Sequence, residues 1–206
     1  MARKRVAILI SGRGSNMTAL IEAAKDPAYP AEIVLVLSNR PDAAGLARAR
    51  AEGVATAVVD HSRFGMDREA FERALQAELE RHRIEIVCLA GFMRLLTPWF
   101  VRRWQGRLIN IHPALLPAFK GLNTHERALA EGATHHGATV HFVVPEMDSG
   151  PTILQDRLRV LATDDVASLA ARVLEIEHRI YPQALALVAR GEVAIGDREP
   201  QPPLRW

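Results

Sequence analysis

Apolar residues enter this chain as short runs separated by stretches of helical spacing. Val6 to Ile10, Ile33 to Leu37, Ala55 to Val59 and Ile84 to Ala90 are apolar runs of strand length, as expected for strands covered on both faces. Between them the period changes. A helix is predicted from about Met17 to Lys25, where Asp26-Pro27 breaks it, and a second from Asp42 to Glu52, closed by Gly53. Asp67 is placed to cap a third, with Phe71, Leu75 and Leu79 as its apolar stripe and Glu72, Arg73 and Glu80 facing water. Strands alternating with helices at this spacing predict right-handed βαβ units, hence an α/β fold with a mostly parallel sheet.

The second half is less regular. Thr97-Pro98 opens a short helix carrying Trp99, Phe100 and Trp104, and a strand follows from Arg107 to His112. Pro113 to Asn123 is apolar and rich in proline, which predicts an ordered lining rather than a loose loop. A helix is expected from about Thr124 to Glu131, ending at Gly132. Two strands follow, Thr139 to Val144 and Ile153 to Val160, joined by the turn Pro145 to Pro151. The last helix starts near Asp164 with Val166, Leu169, Val173, Ile176 and Ile180 on one stripe, and Pro182 should kink or end it. Neither repeat nor linker interrupts the pattern. The expectation is one domain over residues 1–206, with a tail from about 192 to 206 whose Glu199 to Trp206 part is extended.

Composition narrows the class. At 206 residues, 49% hydrophobic and 24% charged, with a formal net charge of +2, the chain reads as an ordinary globular protein. So small an excess of charge gives no reason to expect nucleic acid as a partner. A single cysteine, Cys88, excludes an internal disulfide and sits in an apolar strand, where an inert core thiol is expected. No apolar run approaches the length of a membrane span and no signal peptide pattern opens the chain, so no membrane partner is expected and the cytoplasm is the expected address.

Three stretches carry candidate chemistry. In Arg107 to Pro117, Asn110 and His112 lie two apart on a strand and so point the same way, while Pro113 ends the ladder beside them. An amide and an imidazole aimed at one spot serve either a hydrogen-bonded sheet edge or catalysis. In Gly12-Arg13-Gly14-Ser15-Asn16, exposed N–H groups at a helix start make a seat for a small monophosphate. It is neither a P-loop nor a dinucleotide fingerprint, since no Gly-Lys-Ser/Thr follows and the third glycine position is Met17; a plain strand-to-helix turn would look the same. Asp148, in a Gly- and Pro-bounded turn, either closes an Asx-turn or reaches His112 and favours its imidazolium. Asn110, His112 and Asp148 together would suit acyl transfer through a tetrahedral oxyanion, by direct attack of a substrate amine because no activated nucleophile accompanies them. His135, His136 and His141 lack a partner cysteine, and no metal is expected.

These residues resemble the folate-dependent formyltransferases of the glycinamide ribonucleotide transformylase type, from Val6 to about Gly191. The likeness rests on Ile10 to Asn16, Leu89 to Arg94, Asn110-Ile111-His112-Pro113, Leu115 to Pro117, Val140 to Val143, Asp148 to Pro151 and Glu177 to Pro182. It implies a Rossmann-like, mostly parallel twisted sheet with helices on both faces. It also implies Asn110, His112 and Asp148 as catalytic residues, and a ribonucleotide site made by Gly14, Ser15, Asn16 and Glu177. Arg68, Met93, Arg94, Leu95, Leu96, Asn110, Glu146, Met147 and Asp148 would line the folate site, with His141 nearby. The implied reaction moves a formyl group from 10-formyltetrahydrofolate, as cosubstrate, to the primary amine of glycinamide ribonucleotide, without a metal. Partners would be small molecules, and the resemblance admits a homodimer without requiring one. Asn123 and Lys120 depart from the family pattern, which often has histidine and proline there. Two alternatives stay open, a formyltetrahydrofolate hydrolase and a non-catalytic nucleotide-binding α/β module; a transferase to tRNA would need an RNA-binding domain and a basic surface, and the sequence is expected to have neither the room nor the charge for them.

Overall fold

The computed structural model describes residues 2–196. The expected Glu199 to Trp206 segment lies outside them. Seven strands form one sheet in the order β3-β2-β1-β4-β5-β6-β7. They are β1 (Lys4–Ile10), β2 (Ala31–Ser38), β3 (Ala55–Val58), β4 (Ile86–Leu89), β5 (Leu108–His112), β6 (His135–Phe142) and β7 (Thr152–Arg159). The first five are parallel, and β6 and β7 join antiparallel. The helices are α1 (Ser15–Ala24), α2 (Ala44–Ala51), α3 (Arg68–Arg81), α4 (Pro98–Arg103), α5 (Thr124–Ala130) and α6 (Val166–Arg190).

Alternation along each strand feeds two cores. Val6, Ile8 and Ile10 of β1 pack with Met17, Leu46, Leu169 and Leu185 from α1, α2 and α6. Ala7 and Leu9 point the other way, to Phe71, Leu75, Phe100 and Trp104 of α3 and α4. The strand order reverses between β1 and β4, and at such a switch point the loops diverge and leave a crevice beyond the strand ends. The 11–16 turn and the 91–96 loop both leave the sheet there.

Several boundaries and faces differ from the sequence reading. β6 begins four residues earlier than expected, so His135 and His136 lie within it, and it stops at Phe142 because Gly150 folds back on that end. A Cβ on Gly150 would stand 1.7 Å from the Phe142 carbonyl oxygen. Pro182 does not end α6, which continues to Arg190 on the strength of its buried stripe. Val166 leaves that stripe and is 48% exposed in the first turn. Glu72 does not face water: at 1% exposure it is buried on the inner side of α3. At the start of the tail, Val193 and Ile195 pack on the core. Asp67 caps α3 as expected, accepting from the Ala70 N–H at 2.9 Å. Cys88 is fully buried, and that burial pushes its thiol up to about 12. No helix among the described residues is long and apolar enough to cross a membrane.

Candidate active site

β5 presents Leu108, Asn110 and His112 on one face while Ile109 and Ile111 enter the opposite core. His141 stands directly across from Asn110 on β6. The turn after β6 then returns over this face and delivers Asp148, whose φ of 50° is a left-handed conformation that Asp tolerates better than most residues. One carboxylate oxygen lies 3.6 Å from Nδ1 of His112, and the other 3.7 Å from Nε2 of His141. The first oxygen also accepts the Gly121 N–H at 2.8 Å, tying this turn to the Pro113–Asn123 segment.

Hydrogen-bond partners assign the ring protons. His112 Nε2 is 2.9 Å from the Phe119 carbonyl, which can only accept, so Nε2 carries a proton and Nδ1 faces Asp148. An imidazolium at His112 would satisfy both neighbours at once. His141 Nδ1 likewise donates to the Phe142 carbonyl at 2.9 Å, leaving Nε2 to accept from the Asn110 amide at 3.3 Å. Burial depresses the His141 pKa against the pull of the Asp148 carboxylate, so this ring stays neutral near pH 7. His141 therefore fixes which way the Asn110 amide points. The segment over this face is ordered, as expected: Ala114, Leu115 and Leu116 are buried, and the Thr139 hydroxyl donates to Ala114 O and accepts from Leu116 N.

The glycine turn leaves the C-terminal end of β1, with β4 between it and β5. Gly14 caps α1 with φ 72°, and α1 starts two residues earlier than expected, so Ser15 and Asn16 belong to its first turn. Gly45 of α2 braces the turn by donating to Gly12 O at 3.0 Å. Asn16 donates to Glu177 of α6 at 2.5 Å while its buried Oδ1 has no partner, and burial raises the Glu177 carboxyl pKa. A cavity of about 400 Å³ follows the turn, lined by residues 11–16 with Asn39, Arg40, His61, Ala90, Gly91, Met93 and Arg94.

The structure thus gathers Asn110, His112, Asp148 and His141 in one cluster, and Gly14, Ser15, Asn16, Met93 and Arg94 around one cavity. Arg68, Leu95, Leu96, Glu146, Met147 and Glu177 do not line that cavity. Met93, Leu95 and Met147 are exposed, whereas Leu96 packs partly on the α3/α4 core. Sequence reasoning missed Ser11, Asn39 and His61. Ser11 Oγ donates to Asn39 Oδ1 at 2.6 Å and accepts from Met93 N at 2.7 Å, joining the turn to the next loop. Polar residues at the C-terminal ends of β1, β2 and β3 were the available signal. Among the described residues no three His, Cys, Asp or Glu side chains are placed to share a metal ion. His136 instead meets His125 at 3.2 Å.

Comparisons with known proteins bear on the family and the fold. The formyl transferase family profile matches residues 4–185. Phosphoribosylglycinamide formyltransferase from Escherichia coli (strain K12) is 46% identical over 91% of this chain and 88% of its own length. The human trifunctional purine biosynthetic protein adenosine-3 is 48% identical over 95% of this chain, which spans only 19% of that protein. Among solved structures, phosphoribosylglycinamide formyltransferase from Brucella melitensis matches with TM-score 0.87 and 51% identity, covering 93% of this chain and 98% of its own. Glycinamide ribonucleotide transformylase 1 from Symbiobacterium toebii matches with TM-score 0.91 and 41% identity, covering 95% and 92%. With a profile spanning most of its length and relatives of nearly equal extent, the chain belongs to the formyl transferase family.

Proposed function

We propose that the chain transfers the formyl group of 10-formyltetrahydrofolate to the primary amine of glycinamide ribonucleotide. The observation that carries this reading is the convergence of Asn110, His112, Asp148 and His141, with a turn suited to one phosphate at the same C-terminal end of the parallel strands. The phosphate sits on the N–H groups of Gly14, Ser15 and Asn16 at the α1 N-terminus, where the helix dipole favours an anion. Asn16 Oδ1 and Glu177 offer acceptors to the rest of the ribonucleotide. Met93 to Leu96 and the 146–148 turn face the pterin, and Arg68 or Arg94 meets the glutamate carboxylates.

The amine attacks the formyl carbon directly. The second N–H of the Asn110 amide, whose first is held by His141, donates to the oxyanion that forms, and the positive charge of protonated His112, whose two N–H groups face Phe119 O and Asp148, stabilises it. Asp148 faces that ring with its negative charge 3.6 Å from Nδ1. The C–N bond to the folate then breaks, and a water held by Asp148 carries the proton from the attacking nitrogen to the departing one. Folate acts as a cosubstrate, and no step calls for a metal.

The test is acceptor-dependent loss of formylfolate. Turnover should require glycinamide ribonucleotide, and His112→Ala should abolish it by orders of magnitude while ribonucleotide binding persists. Asn16→Ala should chiefly raise the ribonucleotide KM. Loss of formyl donor at the same rate without acceptor would point to a hydrolase instead.

A further inference from the structure

Glu72 is a buried carboxylate for which the chemistry above has no use. No cation lies within ion-pair distance of it among the described residues, and both oxygens turn to one residue. Thr97 N donates to Oε1 at 2.6 Å, and the Thr97 hydroxyl donates to Oε2. Thr97 is the N-cap of α4 but makes no side-chain cap there, and Pro98 follows without an N–H. A desolvated charge is costly, and an apolar side chain would suit this core better, so two charge-assisted bonds to one cap point to a geometric role.

What that geometry fixes is the loop from Gly91 to Leu96. Its near end is held by Ser11, whose N–H donates to Gly91 O at 3.1 Å and whose hydroxyl takes Met93 N. Its far end is held through Thr97 by Glu72. Between these anchors Met93 and Leu95 are 68% and 62% exposed, with little packing of their own to hold them. Arg68 lies one turn before Glu72 on α3, on the same side of the helix. Glu72 therefore ties α3, which carries Arg68, to the far end of the Met93–Leu96 loop itself, whereas the Gln76–Trp104 bond and the Phe71 and Leu75 packing join α3 to the residues beyond it.

We propose that Glu72 is a positioning residue for the folate cosubstrate, holding the two ends of its site at a fixed span. This rests on the folate reading given above. Binding of tetrahydrofolate, measured by calorimetry, and both KM values separate the outcomes for wild type, Glu72→Gln, Glu72→Leu and Thr97→Val. Glu72→Leu should weaken tetrahydrofolate binding and raise the formylfolate KM by about ten-fold or more, with the ribonucleotide KM unchanged. Glu72→Gln should fall between, because its amide oxygen can still accept from Thr97 N. Unchanged folate affinity in Glu72→Leu, or equal rises in both KM values, would overturn the proposal. If Glu72→Leu fails to fold, Thr97→Val, which keeps the side-chain shape and removes the hydroxyl, should raise the folate KM alone; an unchanged value would overturn it equally. Wild-type protein that binds no tetrahydrofolate would defeat the folate reading itself.

Discussion

Asp148→Asn isolates charge from shape. The amide oxygen can take the place of the carboxylate oxygen that accepts Gly121 N–H, and the amide nitrogen then faces Nε2 of His141, whose lone pair the Asn110 amide already engages. The loop should keep its position. What disappears is the negative charge 3.6 Å from His112 Nδ1. At an effective dielectric of about 20, unit charges at that separation attract by about 4–5 kcal/mol. If the reaction uses an imidazolium at His112, kcat should fall about a thousand-fold. Steady-state assay with both substrates, alongside thermal melts and ribonucleotide binding, measures this directly. The ribonucleotide KM and the melting temperature should stay near those of the parent. A variant that melts like the parent and keeps kcat within about ten-fold would refute an ion pair as the source of oxyanion stabilisation.

Two further perturbations test the surroundings. A Cβ on Gly45 would stand 2.5 Å from Ile10 Cδ1 and 3.1 Å from Gly12 O, so Gly45→Ala should displace the phosphate turn and raise the ribonucleotide KM without changing the formylfolate KM; equal KM values would show that the turn is not braced there. Burial, with a smaller contribution from His125, pushes His136 down to about 4 from an ordinary 6.5. Between those values the unfolded chain binds the proton and the folded one does not, so stability falls as pH drops through this window, on the order of 3 kcal/mol in full. The raised carboxyls of Glu72 and Glu177 bind protons in the folded state and act in the opposite sense. Urea unfolding of wild type against His136→Gln at pH 7 and pH 5 isolates the histidine. The variant should lose less stability on acidification, and parallel losses would refute the assignment.

The fold was largely legible in the chain because apolar runs and helical periods are local signals. β1 to β5 with their helices follow from pattern alone, and so does the Asp67 cap. Where the reading failed, a distant contact overrode a local rule. Pro182 should break a helix, but the packed stripe of α6 carries the helix past it. Glu72 belongs by type with its water-facing neighbours, but Thr97, 25 positions away, draws it inward. Within the site, strand alternation determined that Asn110 and His112 share a face, and glycine spacing determined that a phosphate could be seated after β1. Only tertiary structure decided that Asp148 turns back to His112 and that His141 orients Asn110. Only there does the Ser11 hydroxyl meet Met93. These contacts join residues from different strands and returning turns, and no period along the chain encodes such a meeting; the packing of the returning turns over β5 and β6 does.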